Sequence, residues 1–256
     1  MAHPRIEFEA DVFSPSGLTL LIDGTAQSHV DPVDPTHLFF EYVRRIGHVL
    51  DGVREGGRPI RALHLGGGAM TLPRYVAATR PGSSQVVVEV DAEVVATVLE
   101  RLPVPPGADI ALVLADARDA IAPGGALDGL APFDVVVVDL YTRLEAPEFV
   151  DDPAFMGGCL AALAAGGLVV VNVADAPGLT RLRAQARALA RADPGAELLV
   201  AGDPTTIAGT EEGNAILVAA PDGLPEGLAD RLAAAGPFPA AVLTGHRLDA
   251  ALWGAC

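Results

Sequence analysis

The chain has 256 residues, half of them hydrophobic, and a formal net charge of −16 without a single lysine. Its length and apolar content exclude a disordered protein, and no apolar run reaches the roughly 18 residues that span a bilayer, so we expect a soluble cytoplasmic protein with no membrane partner. The negative charge would repel phosphate backbones, which excludes nucleic acid as the expected partner and leaves small molecules.

The N-terminal part of the chain is predicted to be a small β appendage. Residues 5–24 contain two extended runs joined by a Ser-Pro-Ser-Gly turn, which is typical of a hairpin. Asp34 and Pro35 then predict the start of a helix that ends near Gly52, because apolar residues recur at helical spacing between them. We therefore divide the chain into an N-terminal β-hairpin region, residues 1–33, and a Rossmann-like nucleoside-binding domain, residues 34–256.

The stretch from residue 61 to residue 91 has the pattern of strand, glycine turn, helix and strand. Gly66, Gly67 and Gly68 follow a short apolar run and would let the backbone approach a ligand closely. The second strand ends at Glu89 and Asp91. An acidic residue about 20 positions after a glycine turn is placed to accept hydrogen bonds from the ribose of a nucleoside. Three glycines after a strand also occur in turns that bind nothing, so that interpretation stays open.

The remaining segments alternate between strand and helix patterns. Continuous apolar runs of this kind favour a parallel sheet that is covered on both faces. With the two strands above, they predict an α/β fold with a doubly wound, mostly parallel sheet of seven strands; the further strands are expected at residues 110–114, 133–138, 168–173, 198–201 and 214–219. Residues 237–256 have no clear element.

Three successive predicted strands end in carboxylates: Glu89, Asp116 and Asp139. In an open parallel sheet, ligands bind outside the carboxyl ends of the strands, so these side chains should line one crevice with the glycine turn. We expect Glu89 to bind a ribose, Asp116 to accept from the amine of adenine, and Asp139 to face the reacting centre. Asp116 also precedes a short helix, and capping that helix is an equal alternative.

Histidine and cysteine spacing does not indicate a metal site. The six histidines show no metal-ligand spacing within a single predicted element. Cys159 and Cys256 form neither a zinc motif nor a disulfide framework. We therefore expect no metal.

Four segments together resemble one known family. These are LTLLIDGTAQS (18–28), LHLGGG with VVVEVD (63–68 and 86–91), LADARDAI (114–121) and FDVVVVDLYT (133–142). In this order they are similar to the spermidine synthase family of aminopropyltransferases, which have a methyltransferase-type Rossmann fold. The resemblance spans about residues 5–220.

The resemblance implies a transferase that uses S-adenosylmethionine or its decarboxylated form as donor, a small amine or other small nucleophile as acceptor, and a homodimer. It implies that Gln27 and Glu89 hold the ribose and sulfur region, that Asp116 and Ala117 meet the adenine, and that Asp139 deprotonates the attacking amine. Gly66, Gly67, Gly68 and Asp91 would border the nucleoside, and Thr142 is at the family's acceptor position. From their places in the sequence, we also expect Tyr141 to act beside Asp139 as a catalytic residue or aromatic lid, with simple loop packing as an equal alternative, and His29 to face the acceptor. An acidic protein would also attract such cationic substrates, although a compositional bias of the genome is the stronger explanation of the acidity.

Two departures from the family keep alternatives open. Ala69 stands where the family usually has an aspartate that holds the aminopropyl ammonium, and Thr142 stands where a second aspartate anchors the acceptor. One alternative is an S-adenosylmethionine-dependent methyltransferase on the same fold, which has no aminopropyl ammonium to hold. Another is a nucleoside-binding scaffold without turnover.

Overall fold

The computed structural model describes residues 4–141 and 146–254. Thr142, one of the predicted acceptor residues, and Cys256 lie outside these ranges. Among the described residues, no helix has both the length and the apolar character needed to cross a membrane.

A small antiparallel sheet forms the N-terminal part of the chain. It has three strands in sequential order: β1 (Ile6–Ala10), β2 (Leu18–Ile22) and β3 (Thr25–Val30). The predicted hairpin is therefore present, and a third strand follows the turn at Asp23 and Gly24. A bulge interrupts the pairing of β3 with β2, since Ser28 lies opposite Leu20 and Ala26 lies opposite Leu21.

The main sheet has a parallel half and an antiparallel half. The parallel strands are β4 (Arg61–Leu65), β5 (Ser84–Glu89), β6 (Asp109–Leu114), β7 (Phe133–Val138) and β8 (Leu163–Asp175). The other strands are β9 (Glu197–Gly202), β10 (Gly213–Ala220) and β11 (Ala241–Thr244), with β10 antiparallel to both β8 and β9 and β11 antiparallel to β9. The order across the sheet is β11-β9-β10-β8-β7-β4-β5-β6.

Helices cover both faces of this sheet. They are α1 (Glu41–Gly52), α2 (Thr71–Thr79), α3 (Ala92–Arg101), α4 (Ala117–Ile121), α5 (Pro153–Ala161), α6 (Thr180–Ala192), α7 (Pro204–Ile207), α8 (Leu228–Ala235) and α9 (Gly245–Trp253), with a 3₁₀ turn at Glu148–Asp151. Along β7, Val136 and Val138 pack with α5 and α6, while Val135 and Val137 pack with α1 and α2. The expected doubly wound α/β fold is confirmed.

A third apolar cluster joins the small sheet to the main one. Leu20 and Val30 from the small sheet pack against Val94 and Val98 of α3, and Ala69 is enclosed among them. The start of α2 adds polar contacts, because the Thr71 hydroxyl donates to the carbonyl oxygen of His29 at 2.7 Å. The small sheet is thus held beside the glycine turn.

The sequence prediction was wrong at three places in the fold. The main sheet has eight strands, because β11 pairs with β9 in the C-terminal stretch that showed no pattern, and α9 follows it. A short helix, α7, occupies the connection before β10. Helix α1 begins at Glu41 and not at Asp34, since the carboxylates of Asp31 and Asp34 accept backbone N–H groups two or three residues ahead and so stabilise turns.

Candidate active site

The predicted carboxylates and the glycine turn lie at one edge of the main sheet. Asp139 follows β7, residues 66–68 follow β4, Glu89 ends β5, and Asp116 comes just after β6, and these four strands are neighbours in that order. The backbone links adjacent members, since Asp139 N–H donates to the Leu65 carbonyl at 2.9 Å and Ala115 N–H donates to the Glu89 carbonyl at 3.1 Å. The edge therefore has the place that nucleoside sites occupy in open α/β sheets.

Gly66 is required at its position by its surroundings. Its φ of +99° lies in the region that side chains disfavour, and a Cβ atom there would lie 2.1 Å from the carbonyl oxygen of Asp139. The turn after β4 can approach β7 this closely only without a side chain. The glycine turn and the strand end that carries Asp139 are consequently packed as one unit.

The carboxylate of Glu89 is fixed by three backbone N–H groups. Oε2 accepts from Gly67 at 2.9 Å, and Oε1 accepts from Val90 at 2.9 Å and from Asp91 at 3.1 Å. Each carboxylate oxygen has two lone pairs, so Oε1 is fully occupied and Oε2 can still accept one further hydrogen bond. The carboxylate is thus held in one orientation at the sheet edge, and its contact with a ribose remains a prediction.

Asp91 and Asp116 both act as helix caps. Oδ1 of Asp91 accepts from the N–H groups of Glu93 and Val94 at the start of α3, at 2.9 and 3.1 Å. Oδ1 of Asp116 accepts from Arg118 N–H at 2.8 Å at the start of α4, and Ala117 beside it is buried. The structural alternative for Asp116 is therefore realised, and its predicted contact with adenine remains a prediction.

Asp139 accepts a hydrogen bond from a side chain of β8, which is itself bound by a side chain of β10. Asn172 Nδ2, on β8, donates to Asp139 Oδ1 at 2.8 Å, and Asn214 Nδ2, on β10, donates to Asn172 Oδ1 at 3.0 Å. Burial raises the pKa of Asp139 to about 6, and the hydrogen bond from Asn172 opposes part of this rise. Neither asparagine was predicted as a site residue. The available signal was Asn172 itself, a lone amide inside the apolar run of β8.

Two tyrosines lie near Asp139. The Tyr141 hydroxyl donates to the Asn172 carbonyl at 2.9 Å and accepts from Ala174 N–H, so its ring is anchored to β8. Tyr42, on α1, was not predicted as a site residue. Burial raises its pKa well above the usual value, and the negative charge of Asp139 adds to the effect. Both phenols therefore stay protonated beside Asp139.

Gln27 lies at the β3 bulge, at the edge of the small sheet that faces α2. Its neighbour Ser28 contacts Thr71, with the two hydroxyl oxygens 3.0 Å apart, and a Cβ atom on Gly68 would lie 3.3 Å from Ser28. Bulges commonly redirect a side chain towards a site. The structure thus brings the segment that carries Gln27 against the glycine turn.

His29, a predicted acceptor residue, is enclosed within the N-terminal region. Its Nε2 atom lies 3.1 Å from Asp11 Oδ2, and its ring stacks on Phe39 with the centroids 4.6 Å apart. Nearby, Asp31 is buried, which alone would favour its neutral form. Hydrogen bonds from Ser14 and Ser16 outweigh this effect and hold the pKa of Asp31 well below its usual value.

No metal site is apparent in the part of the chain that the structure describes, where no group of three or more His, Cys, Asp or Glu side chains is placed to hold an ion. Cys159, on α5, is buried, and burial raises the pKa of its thiol to about 12. This cysteine is therefore an inert packing residue.

The fold and the edge described above define an α/β protein with a Rossmann-type fold that is similar to the fold of methyltransferases. The structure of human methyltransferase-like protein 13 in complex with SAH has a TM-score of 0.55 at 20% identity, covering 76% of this chain and 89% of that chain.

The chain is similar over almost its whole length to a probable spermidine synthase from Corynebacterium glutamicum, with a TM-score of 0.85 and 26% identity, covering 99% of this chain and 94% of that one. Spermidine synthase from Thermotoga maritima gives a TM-score of 0.58 at 16% identity, covering 88% of this chain and 72% of that one. No protein-family model matched the chain, and a search of curated proteins found no significant match. The resemblance to spermidine synthases is thus confirmed at the level of the structure.

Proposed function

We propose that the protein is a spermidine synthase-like transferase that moves an aminopropyl-type group from a sulfonium nucleoside to an amine, with Asp139 as the base. This would give it a role in polyamine biosynthesis. The observation that carries the proposal is Asp139, whose carboxylate has a pKa raised to about 6 and lies at the same sheet edge as the prearranged carboxylate of Glu89.

The residues at this edge fit a nucleoside of the S-adenosylmethionine type. Oε2 of Glu89 can still accept one hydrogen bond from a ribose hydroxyl, and the glycine turn has no side chain to block the approach. Asp116 and Ala117 would border the base, and Gln27 would border the sulfur end. When bound, the sulfonium supplies a carbon that is activated for nucleophilic substitution, so the protein's own residues need only align the acceptor and manage its proton.

Asp139 suits the removal of that proton. A general base works best when its pKa is close to the working pH, because it must be ionised and still basic. With a pKa of about 6, Asp139 is ionised at neutral pH and remains a stronger base than an exposed aspartate. The hydrogen bond from Asn172 fixes Oδ1, which leaves Oδ2 to accept the proton from the amine nitrogen.

Methyl transfer is the second candidate, and Ala69 is the observation that favours it. Ala69 has no exposed surface and packs in the apolar cluster with Leu20 and Val30. The resemblance implies an aspartate at this position to hold the aminopropyl ammonium. The chain instead has an uncharged side chain that is enclosed by apolar neighbours. A donor without that ammonium would need no carboxylate there.

Ligand binding and product analysis test both candidates. We expect S-adenosylmethionine, decarboxylated S-adenosylmethionine or methylthioadenosine to raise the melting temperature, since a ligand at 100 times its dissociation constant stabilises the fold by about 2.7 kcal/mol. Release of methylthioadenosine in the presence of amines would support aminopropyl transfer, and release of S-adenosylhomocysteine would support methyl transfer. Binding with no product would favour the scaffold, and no binding would reject the nucleoside site.

A further inference from the structure

A cavity lies outside the sheet edge just described. It has a volume of about 400 Å³ and lies between residues 36–39, the outer side of α1 and the middle of α2. Its polar lining comes mainly from Arg44 and His48 on α1 and from His37, and its apolar lining comes from Leu38, Phe39 and the ring of Tyr75. The cavity shares no residue with the proposed nucleoside site.

Arg44 differs from the other arginines that this protein buries. Its side chain is half-buried and makes no hydrogen bond or ion pair within residues 4–141 and 146–254, and its Nε atom is fully enclosed without a partner. Arg45, the next residue, bonds to Glu41 and to the Pro237 carbonyl, and Arg80 bonds to four backbone carbonyls, among them that of Leu50. A partly buried cation without a partner is costly, so the guanidinium in this cavity wall is available to an anion, which would reach its terminal Nη atoms.

The acidic residues around the cavity contact groups other than Arg44. Asp51 accepts from the Tyr75 hydroxyl at 2.9 and 2.8 Å and lies 3.9 Å from His48, and Glu41 pairs with Arg45 at 3.3 Å. Asp31 lies 4.0 Å from His37 but is occupied by Ser14 and Ser16. None of these carboxylates forms an ion pair with Arg44. The cavity therefore keeps a positive group in a strongly acidic protein.

We propose that this cavity binds a small organic anion that has one carboxylate and an apolar body. The carboxylate would pair with the Arg44 guanidinium, whose planar donors match carboxylate geometry, and the imidazoles of His37 and His48 would supply further hydrogen bonds. The apolar body would pack on Leu38, Phe39 and the Tyr75 ring. A diamine is excluded as occupant because Arg44 would repel it. The site is independent of the proposed function.

Titration with benzoate tests the site, and benzamide serves as the uncharged isostere. We expect NMR titration of the wild-type protein with benzoate to show saturable shifts of the His37 and His48 signals at constant ionic strength. Arg44→Gln should weaken binding at least about tenfold, because it removes a charge-assisted hydrogen bond. Arg101→Gln, which removes an exposed arginine from α3, should leave the affinity unchanged. Because Arg44 holds no other side chain, the variant should fold normally, which its melting temperature checks.

Three outcomes of this titration would overturn the proposal. These are wild-type protein that binds benzoate no better than benzamide, equal benzoate affinity in Arg44→Gln and wild type, and benzoate shifts that map to residues away from the cavity. Repeating the titration with saturating S-adenosylhomocysteine separates the two sites. Unchanged benzoate affinity supports a distinct cavity. Displacement of benzoate by S-adenosylhomocysteine would place the anion at the sheet edge and reject the proposal.

Discussion

The two sides of the sheet edge hold their carboxylates in different ways. Glu89 is bound by backbone N–H groups of residues 67, 90 and 91, all of which belong to the glycine turn or to the strand end itself. Asp139 is bound by one side-chain amide from β8, which is held in turn by another from β10. Backbone N–H groups stabilise a fixed anion, whereas burial with a single amide partner keeps the anion basic. The difference suits binding on one side and proton transfer on the other.

Replacement of Asp139 by Asn should give the largest difference between the two sides, seen as a loss of turnover without a loss of nucleoside affinity. The amide keeps the shape and can still accept from Asn172, but it cannot take a proton, so turnover should fall by roughly a hundred- to ten-thousand-fold. Nucleoside affinity should stay within a few-fold of wild type, because Glu89 is unchanged. The rate of nucleoside product release and the dissociation constant are the two measurements.

The exposed Asp249→Asn is the charge-matched control for Asp139→Asn. It should leave both quantities unchanged. If Asp139→Asn turned over at the wild-type rate, Asp139 would have no part in the chemistry. If it lost nucleoside affinity as well, the division of roles between the two sides would be wrong.

The contact between the two sides should be broken by Gly66→Ala. Its Cβ atom would lie 2.1 Å from the Asp139 carbonyl oxygen, and the residue would keep a φ of +99°, so we expect a loss of about 3 kcal/mol in the free energy of unfolding. Gly57→Ala is the matched control, since its φ is +73° and nothing lies within 4 Å of the new atom. It should lose only about 1 kcal/mol, from backbone strain alone. Urea unfolding measures both, and equal losses would show that the turn is not packed against β7.

The Glu89 side of the edge could be predicted from the sequence because all its parts are local. The glycines, the strand and the acid at its end lie within one stretch of the sequence. In an open parallel sheet, such a stretch places its glycine turn and its acid at the carboxyl ends of neighbouring strands. The parallel strands themselves could be recognised from the sequence, since buried parallel strands are continuous apolar runs. Asp139 itself was identified in this way, as the acid that ends the strand of four valines.

The environment of Asp139 could not be predicted in this way. Asn172 and Asn214 lie in separate strands, and only the antiparallel pairing of β8 with β10, which places Asn172 opposite Ile216 and Asn214 opposite Ala174, brings them together. The surroundings of His29 could not be predicted either. Its ring is buried and stacks on Phe39, which is ten residues further along the chain, and its contact with an acceptor remains a prediction.

Replacement of Glu89 by Gln tests the binding side. One of its two oxygens would become an NH₂ group, which would face a backbone N–H donor in either orientation, so at least one backbone donor would lose its acceptor. We expect nucleoside affinity to fall about tenfold, with a loss of about 1 to 2 kcal/mol in stability. Calorimetry of nucleoside binding measures the effect, and the exposed Glu100→Gln is the control. Unchanged affinity would reject the ribose contact.

Asn172→Ala should change the rate least of these variants. It tests the Asp139 side of the edge through the pH dependence of the rate. The carboxylate is the active form of Asp139, so the rate should rise with pH through its pKa of about 6. The hydrogen bond from Asn172 lowers that pKa, and its removal should move the rising limb of the pH–rate profile to higher pH by about one unit, since one unit corresponds to about 1.4 kcal/mol. Asn214→Ala, one hydrogen bond further away, should move the limb less. At a pH well above both limbs, Asn172→Ala should recover most of the wild-type rate. A uniform loss at every pH would mean that Asn172 only supports the fold and that the basicity of Asp139 has another origin.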